Sequence, residues 1–160
     1  MNYIPKHFDA KEIFPPSTIK DHMHNGGVKD SIWRLMDDRV LWTADKLQER
    51  YGTTICNDYK WGGAVRYRGF RSITELIDWK QYKANEMIKP VFSTFTSQHC
   101  FGRALDLIFK DIKTSEVLED IKNNFDKTIF QYIKAIEEGV SWFHFDCRNQ
   151  GTDKILYFSS

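Results

Sequence analysis

The 160-residue chain has little of what marks a disulfide scaffold, a membrane protein or a nucleic-acid-binding protein. Its three cysteines, Cys56, Cys100 and Cys147, are odd in number, far apart and without CxxC spacing, which predicts reduced thiols. The net charge is +1 and both signs are mixed along the chain, so the basic stripe expected of a nucleic-acid-binding protein is missing. No apolar run approaches the roughly 18 residues of a membrane span. We therefore expect neither nucleic acid nor membrane as a partner.

The first residues, from Met1 to His7, lack the apolar core of a signal peptide. We accordingly expect a protein that is cytoplasmic as synthesised. Action at a cell wall or in a virion would require release by another component. Nothing in the sequence predicts an oligomeric state.

What the chain does contain is enough apolar material for one hydrophobic core. Apolar residues make up 41% and aromatic residues 15%, which is typical of a folded domain. We predict a single domain over residues 1–160. Residues 1–52 would form an irregular N-terminal segment, with turns at its Pro and Gly residues over 1–27, followed by a helix; residues 53–160 would form the core that carries the functional site.

Hydrophobic spacing predicts the main secondary structure. A helix is expected over 29–51, capped by Asp30 and ended by Gly52, and a second helix over 115–124. Ser72 is a plausible cap for a short helix to Trp79, and 130–138 is ambiguous between helix and strand. Strands are predicted at the segments 53–56, 103–109, 142–147 and 155–158. The combination indicates an α+β domain with a small antiparallel sheet and flanking helices.

Two segments carry the candidate chemistry. Ser97-Gln98-His99-Cys100-Phe101-Gly102-Arg103-Ala104-Leu105-Asp106 places an imidazole and a carboxylate seven residues apart, and Trp142-Phe143-His144 adds a second imidazole. Two histidines and one carboxylate are a common ligand set for a zinc ion that keeps one position open for water. A carboxylate in an apolar strand, such as Asp106, costs several kcal/mol unless it is paired or bound to metal.

The ordered pattern Ser-x-His-x-x-Gly-x-Ala-x-Asp followed by Trp-x-His resembles the M15 zinc peptidases. That group contains D-alanyl-D-alanine carboxypeptidases and dipeptidases and phage L-alanyl-D-glutamate endolysins, and hedgehog signalling domains share its fold. Gly69-Phe70-Arg71-Ser72 looks like the element that precedes the first histidine there. The resemblance implies a hedgehog-like or DD-peptidase-like fold, with His99, Asp106 and His144 as Zn²⁺ ligands.

The same resemblance implies roles for two further positions. Arg71 would hold a substrate carboxylate or the oxyanion, although a surface ion pair is the alternative. The family's usual proton-transferring acid stands three residues before the second histidine, where this chain has Ser141. Three carboxylates could replace it: Glu138, its neighbour Glu137, and Asp146. The first two could instead be solvated charges, and Asp146 could orient a ligand histidine or pair with Arg148.

These features predict a zinc-dependent metallopeptidase that hydrolyses peptidoglycan stem-peptide bonds, encoded by a phage or prophage and acting as an endolysin or a virion-associated enzyme. The alternative is a zinc-binding structural or binding protein, such as a virion component, that uses the same fold without catalysis.

Overall fold

A computed structural model describes residues 2–63, 65–72, 97–125 and 127–159. Its helices are α1 (Ala10–Ile13), α2 (Pro16–His24), α3 (Asp38–Tyr51) and α4 (Thr114–Asn123), with 3-10 helices at Lys29–Leu35, Tyr59–Trp61 and Thr128–Phe130. Its strands are β1 (Thr54–Ile55), β2 (Ala104–Phe109), β3 (Ala135–Glu137), β4 (Phe143–Asp146) and β5 (Leu156–Phe158). Within these residues, no helix is long and apolar enough to span a membrane. The helix predicted from Ser72 to Trp79 lies outside the described residues beyond its first position.

The strands form one mixed sheet in the order β1-β2-β4-β3-β5. Three neighbouring pairs are antiparallel, but β3 and β5 are parallel, so the prediction of an antiparallel sheet is correct only for β1 to β4. The combination of several helices with one five-stranded sheet is compatible with the predicted α+β class. The ambiguous 130–138 segment divides into the end of a 3-10 helix, a turn and β3.

Side-chain alternation gives the sheet two chemically different faces. On one face, Leu105 and Leu107 of β2 lie beside Phe145 and Phe143 of β4, and this face contributes to the hydrophobic core. The residues that alternate with them point to the other face: Ala104 and Asp106 on β2, and His144 and Asp146 on β4. The largest fully buried side chains of the core include Phe14, Phe130, Phe143, Phe145, Leu41, Leu47, Leu105 and Ile136.

The prediction of an irregular segment over residues 1–27 is wrong, because these residues contain two short helices. Asp9 caps α1 and forms a capping box with Glu12, and Pro16 stands at the first position of α2, where its missing N–H costs nothing. Both helices are too short to show a clear hydrophobic period. Ile13 and Phe14 are nonetheless fully buried, so this segment belongs to the core.

The single helix predicted over 29–51 is divided at Met36, which has an extended backbone. Asp37, rather than Asp30, caps α3 by accepting a hydrogen bond from the Arg39 backbone N–H. The Asp37 N–H donates to the Gly102 carbonyl over 2.8 Å, which fastens the break to the loop carrying His99. The prediction that Gly52 ends this helix is confirmed: it has a φ of 86° at the C-cap.

Candidate metal centre

His99, Asp106 and His144 converge on one side of the sheet, as predicted from their motifs. Asp106 on β2 is the direct cross-strand partner of His144 on β4, and His99 lies in the turn just before β2. Asp106 Oδ1 is 2.6 Å from His144 Nδ1 and 3.3 Å from His99 Nε2, and those two nitrogens are 3.3 Å apart. All three side chains are buried. The group could hold a metal ion.

The separations fit a small divalent ion. Zinc–ligand bonds of about 2.0–2.1 Å at tetrahedral angles place neighbouring ligand atoms roughly 3.3 Å apart. Two of the three separations have that length. The third, between Asp106 and His144, is the length of a charge-assisted hydrogen bond. A proton on His144 Nδ1 accounts for it.

The outer nitrogen of each histidine ring faces an oxygen acceptor. His99 Nδ1–H donates to the Gly69 carbonyl over 2.8 Å, which leaves Nε2 directed at Asp106. His144 Nε2 lies 3.5 Å from Asp146 Oδ2, which leaves Nδ1 directed at Asp106. Outer partners of this kind select the tautomer and orient metal-binding histidines.

Gly69 can supply its carbonyl because it has no side chain. A Cβ at this position would lie 2.1 Å from the Ile13 carbonyl oxygen, and the next residue, Phe70, donates its N–H to that same oxygen. The close approach joins the 65–72 segment to the N-terminal helices. The buried N-terminal segment thus helps to place the acceptor of His99.

Among the described residues, Arg71 is a cation in direct contact with the candidate ligand group, His99, Asp106 and His144. Its Nη2 lies 3.3 Å from Asp106 Oδ2, and its Nε donates to the Tyr67 carbonyl over 2.5 Å. Tyr67 has a φ of 64°, which is uncommon for a non-glycine residue and turns the chain at this point. Arg71 is therefore a half-buried group held beside Asp106, with which it forms an ion pair.

These surroundings shift the pKa values of the ligand group. Burial alone raises the pKa of Asp106, but the two imidazoles outweigh burial and hold it well below its usual range. Burial lowers the pKa of His99. For His144, burial also lowers the pKa, but hydrogen bonds to Asp106 and Asp146 raise it to about 9. Opposed shifts within one buried group are typical of functional sites.

No family model, no curated protein and no solved structure matched the chain. The resemblance to the M15 peptidases therefore stays a prediction from the motifs.

A cavity of about 380 Å³ opens over the ligand group. Its lining includes Arg71, Gln98, Glu137, Trp142, Arg148 and Phe158, besides the three candidate ligands. Such a volume suits a small ligand or part of a chain. Sequence reasoning missed Gln98 as a lining residue, although it is next to His99, and missed Phe158, which only the pairing of β5 brings to the site.

The structure separates the three carboxylates proposed as bases. Glu137 lines the cavity, and the register of β3 with β4, continued by one residue, sets it level with His144. Glu138 points away and forms a 2.7 Å ion pair with Lys122 of α4. Asp146 is fully buried on the far side of the His144 ring and bonds to Arg148.

Proposed function

We propose that this chain is a zinc-dependent peptidase that hydrolyses bonds in peptidoglycan stem peptides. The observation that carries the proposal is the convergence of His99, Asp106 and His144 under an open cavity. Two nitrogens and one carboxylate oxygen form a donor set typical of catalytic zinc, which retains a position for water. The choice of peptide substrate rests on the motif resemblance.

When bound, zinc would lower the pKa of a water and polarise the scissile carbonyl. The chain's own residues would do the rest. Of the three candidate carboxylates, Glu137 is the best placed to take a proton from the attacking water and deliver it to the leaving amine. Glu137, on the strand next to β4, would then take the role of the acid that the M15 family has at the position of Ser141.

The cationic side chains favour an anionic substrate. Arg71 offers a planar guanidinium beside Asp106, suited to a substrate carboxylate or to the oxyanion of the transition state. Arg148 lines the same cavity. Peptides that carry free carboxylates, as stem peptides do, match this charge.

A non-catalytic zinc-binding protein is the second candidate. It is favoured by the exposed Ser141 at the usual acid position and by the engagement of Glu138 with Lys122. Such a protein would have the same metal site as the proposed peptidase but would not hydrolyse a substrate.

The test is cleavage of purified muropeptides by the zinc-loaded protein, followed by mass spectrometry, with and without chelator. We expect Glu137→Gln to lose about 100-fold or more in rate while still binding zinc. The matched variant Glu138→Gln should retain activity, because its side chain faces α4. One zinc per chain without chelator-sensitive cleavage would rule out the enzyme and leave the second candidate.

A further inference from the structure

Asp146 is a buried carboxylate whose neighbours fix the position of its side chain. Its side chain is 0% exposed. In the sheet it lies between Ala104 of β2 and Ala135 of β3, whose small side chains leave room beside it. A carboxylate without water is retained only when charged or polar donors compensate it.

Arg148 provides that compensation. Its Nε lies 2.8 Å from Asp146 Oδ1 and 3.0 Å from Oδ2, its Nη2 lies 2.5 Å from Oδ2, and its backbone N–H donates to Oδ1 over 3.0 Å. The guanidinium also lies over the Phe158 ring, 5.1 Å from its centroid. The Phe158 ring in turn packs edge-on against His144, with centroids 5.7 Å apart. Asp146 is thus held in one orientation.

The oxygen that this arrangement fixes is the one that faces His144. Asp146 Oδ2 lies 3.5 Å from His144 Nε2, on the opposite side of the ring from Asp106. In the metal-free protein the second ring proton lies on Nδ1, shared with Asp106. With Nε2–H bonded to Asp146, loss of that Nδ1 proton leaves a lone pair on Nδ1, directed at Asp106 and His99. In His99 the two ring nitrogens have the opposite roles: Nδ1 donates to the Gly69 carbonyl, and Nε2 faces Asp106.

We propose that Asp146, held by Arg148, is a positioning residue that fixes the His144 ring so that Nδ1 is the metal-binding atom. The inference rests on the metal site of the proposed function. It assigns Asp146 to ring orientation and not to proton transfer with substrate. The metal centre would then use one Nε2 and one Nδ1, each selected by its own outer acceptor.

The direct test combines zinc affinity, measured by competition with a chelating dye, with ¹⁵N NMR of the zinc-loaded protein. In the wild type, His144 should show a metal-bound Nδ1 and a slowly exchanging Nε2–H. Asp146→Ala should weaken zinc binding about 10- to 100-fold and speed that exchange. Asp146→Asn retains an oxygen acceptor and should recover part of the loss.

Arg148→Gln should weaken binding in the same direction without touching a ligand. The matched control is Arg39→Gln, because Arg39 forms the same two-residue-spaced pair with Asp37 at the start of α3. That control should leave zinc affinity unchanged. If Asp146→Ala does not fold, the wild-type NMR assignment and Arg148→Gln decide.

A metal-bound Nε2 in wild-type His144, or wild-type zinc affinity in Asp146→Ala or Arg148→Gln, would overturn the inference. Failure of the proposed function looks different. In that case the wild type binds zinc through Nδ1 but cleaves no muropeptide, and the positioning role stands.

Discussion

The metal-free protein should lose stability as the pH rises from 7 to 8, because folding holds a proton on His144. Hydrogen bonds to Asp106 and Asp146 outweigh burial and raise the pKa of His144 from 6.5 to about 9. The stabilisation is complete below about pH 6.5 and is lost as the pH rises through about 9. Between pH 7 and 8 the folded chain keeps this proton and the unfolded chain has largely lost it. The free energy of unfolding should therefore fall by about 1 kcal/mol over that unit.

Other groups act mainly outside this window. Burial lowers the pKa of His99, so its effect has the opposite sign and falls mostly below pH 7. Burial raises the pKa of all three thiols, Cys56, Cys100 and Cys147, so they reduce stability as the unfolded thiols ionise around pH 8.5, and together they add a fall of about 0.4 kcal/mol between pH 7 and 8. The slope between pH 7 and 8 thus reports mainly His144.

The assay is urea unfolding followed by tryptophan fluorescence, with chelator present, at three pH values between 7 and 8. His144→Gln should remove most of the slope, whereas the control His24→Gln, at the exposed end of α2, should retain it. Saturating zinc should likewise remove most of the slope in the wild type, because the metal replaces the proton. A wild-type stability that is flat or rises over this range would refute the reasoning, as would an unchanged slope in His144→Gln.

Two further predictions concern the parts of the fold that support the site. Gly102→Ala should cost at least about 2 kcal/mol in thermal or urea unfolding and weaken zinc binding, since residue 102 has a φ of 65° and a Cβ there would lie 2.1 Å from the Leu35 carbonyl oxygen; a stability within error of wild type would contradict it. Asp45→Ala should cost about 1–3 kcal/mol and speed proteolysis near the N-terminus, because the fully buried Asp45 accepts hydrogen bonds from the Tyr3 hydroxyl and from the Lys6 and His7 backbone. Unchanged proteolysis in Asp45→Ala would show that this contact does not hold the N-terminal segment.

Local signals were sufficient for much of the fold and for the convergence of the three candidate metal ligands. The helix predicted over 115–124 appears as α4, and the long apolar runs appear as β2 and β4. Asp106 and His144 could be expected to meet because each stands in a strand at an alternating position. The structure places them directly opposite each other on β2 and β4.

The remaining features depend on contacts distant in sequence. The parallel placement of β5 beside β3, which brings Phe158 to the site, follows from packing and leaves no local signal. The choice between Glu137 and Glu138 depends on the register of β3, since neighbours on a strand face opposite ways. The break at Met36 is stabilised by the Gly102 carbonyl, some 65 residues further along the chain.

Metal content shows whether His99, Asp106 and His144 bind zinc. The purified chain should be loaded with zinc, exchanged into metal-free buffer and weighed by native mass spectrometry, beside Asp106→Ala and the control Asp37→Ala. We expect one zinc per chain in the wild type and in the control, and none in Asp106→Ala. A wild type that retains no zinc, or an Asp106→Ala variant that retains it, would show that these residues do not form a zinc site.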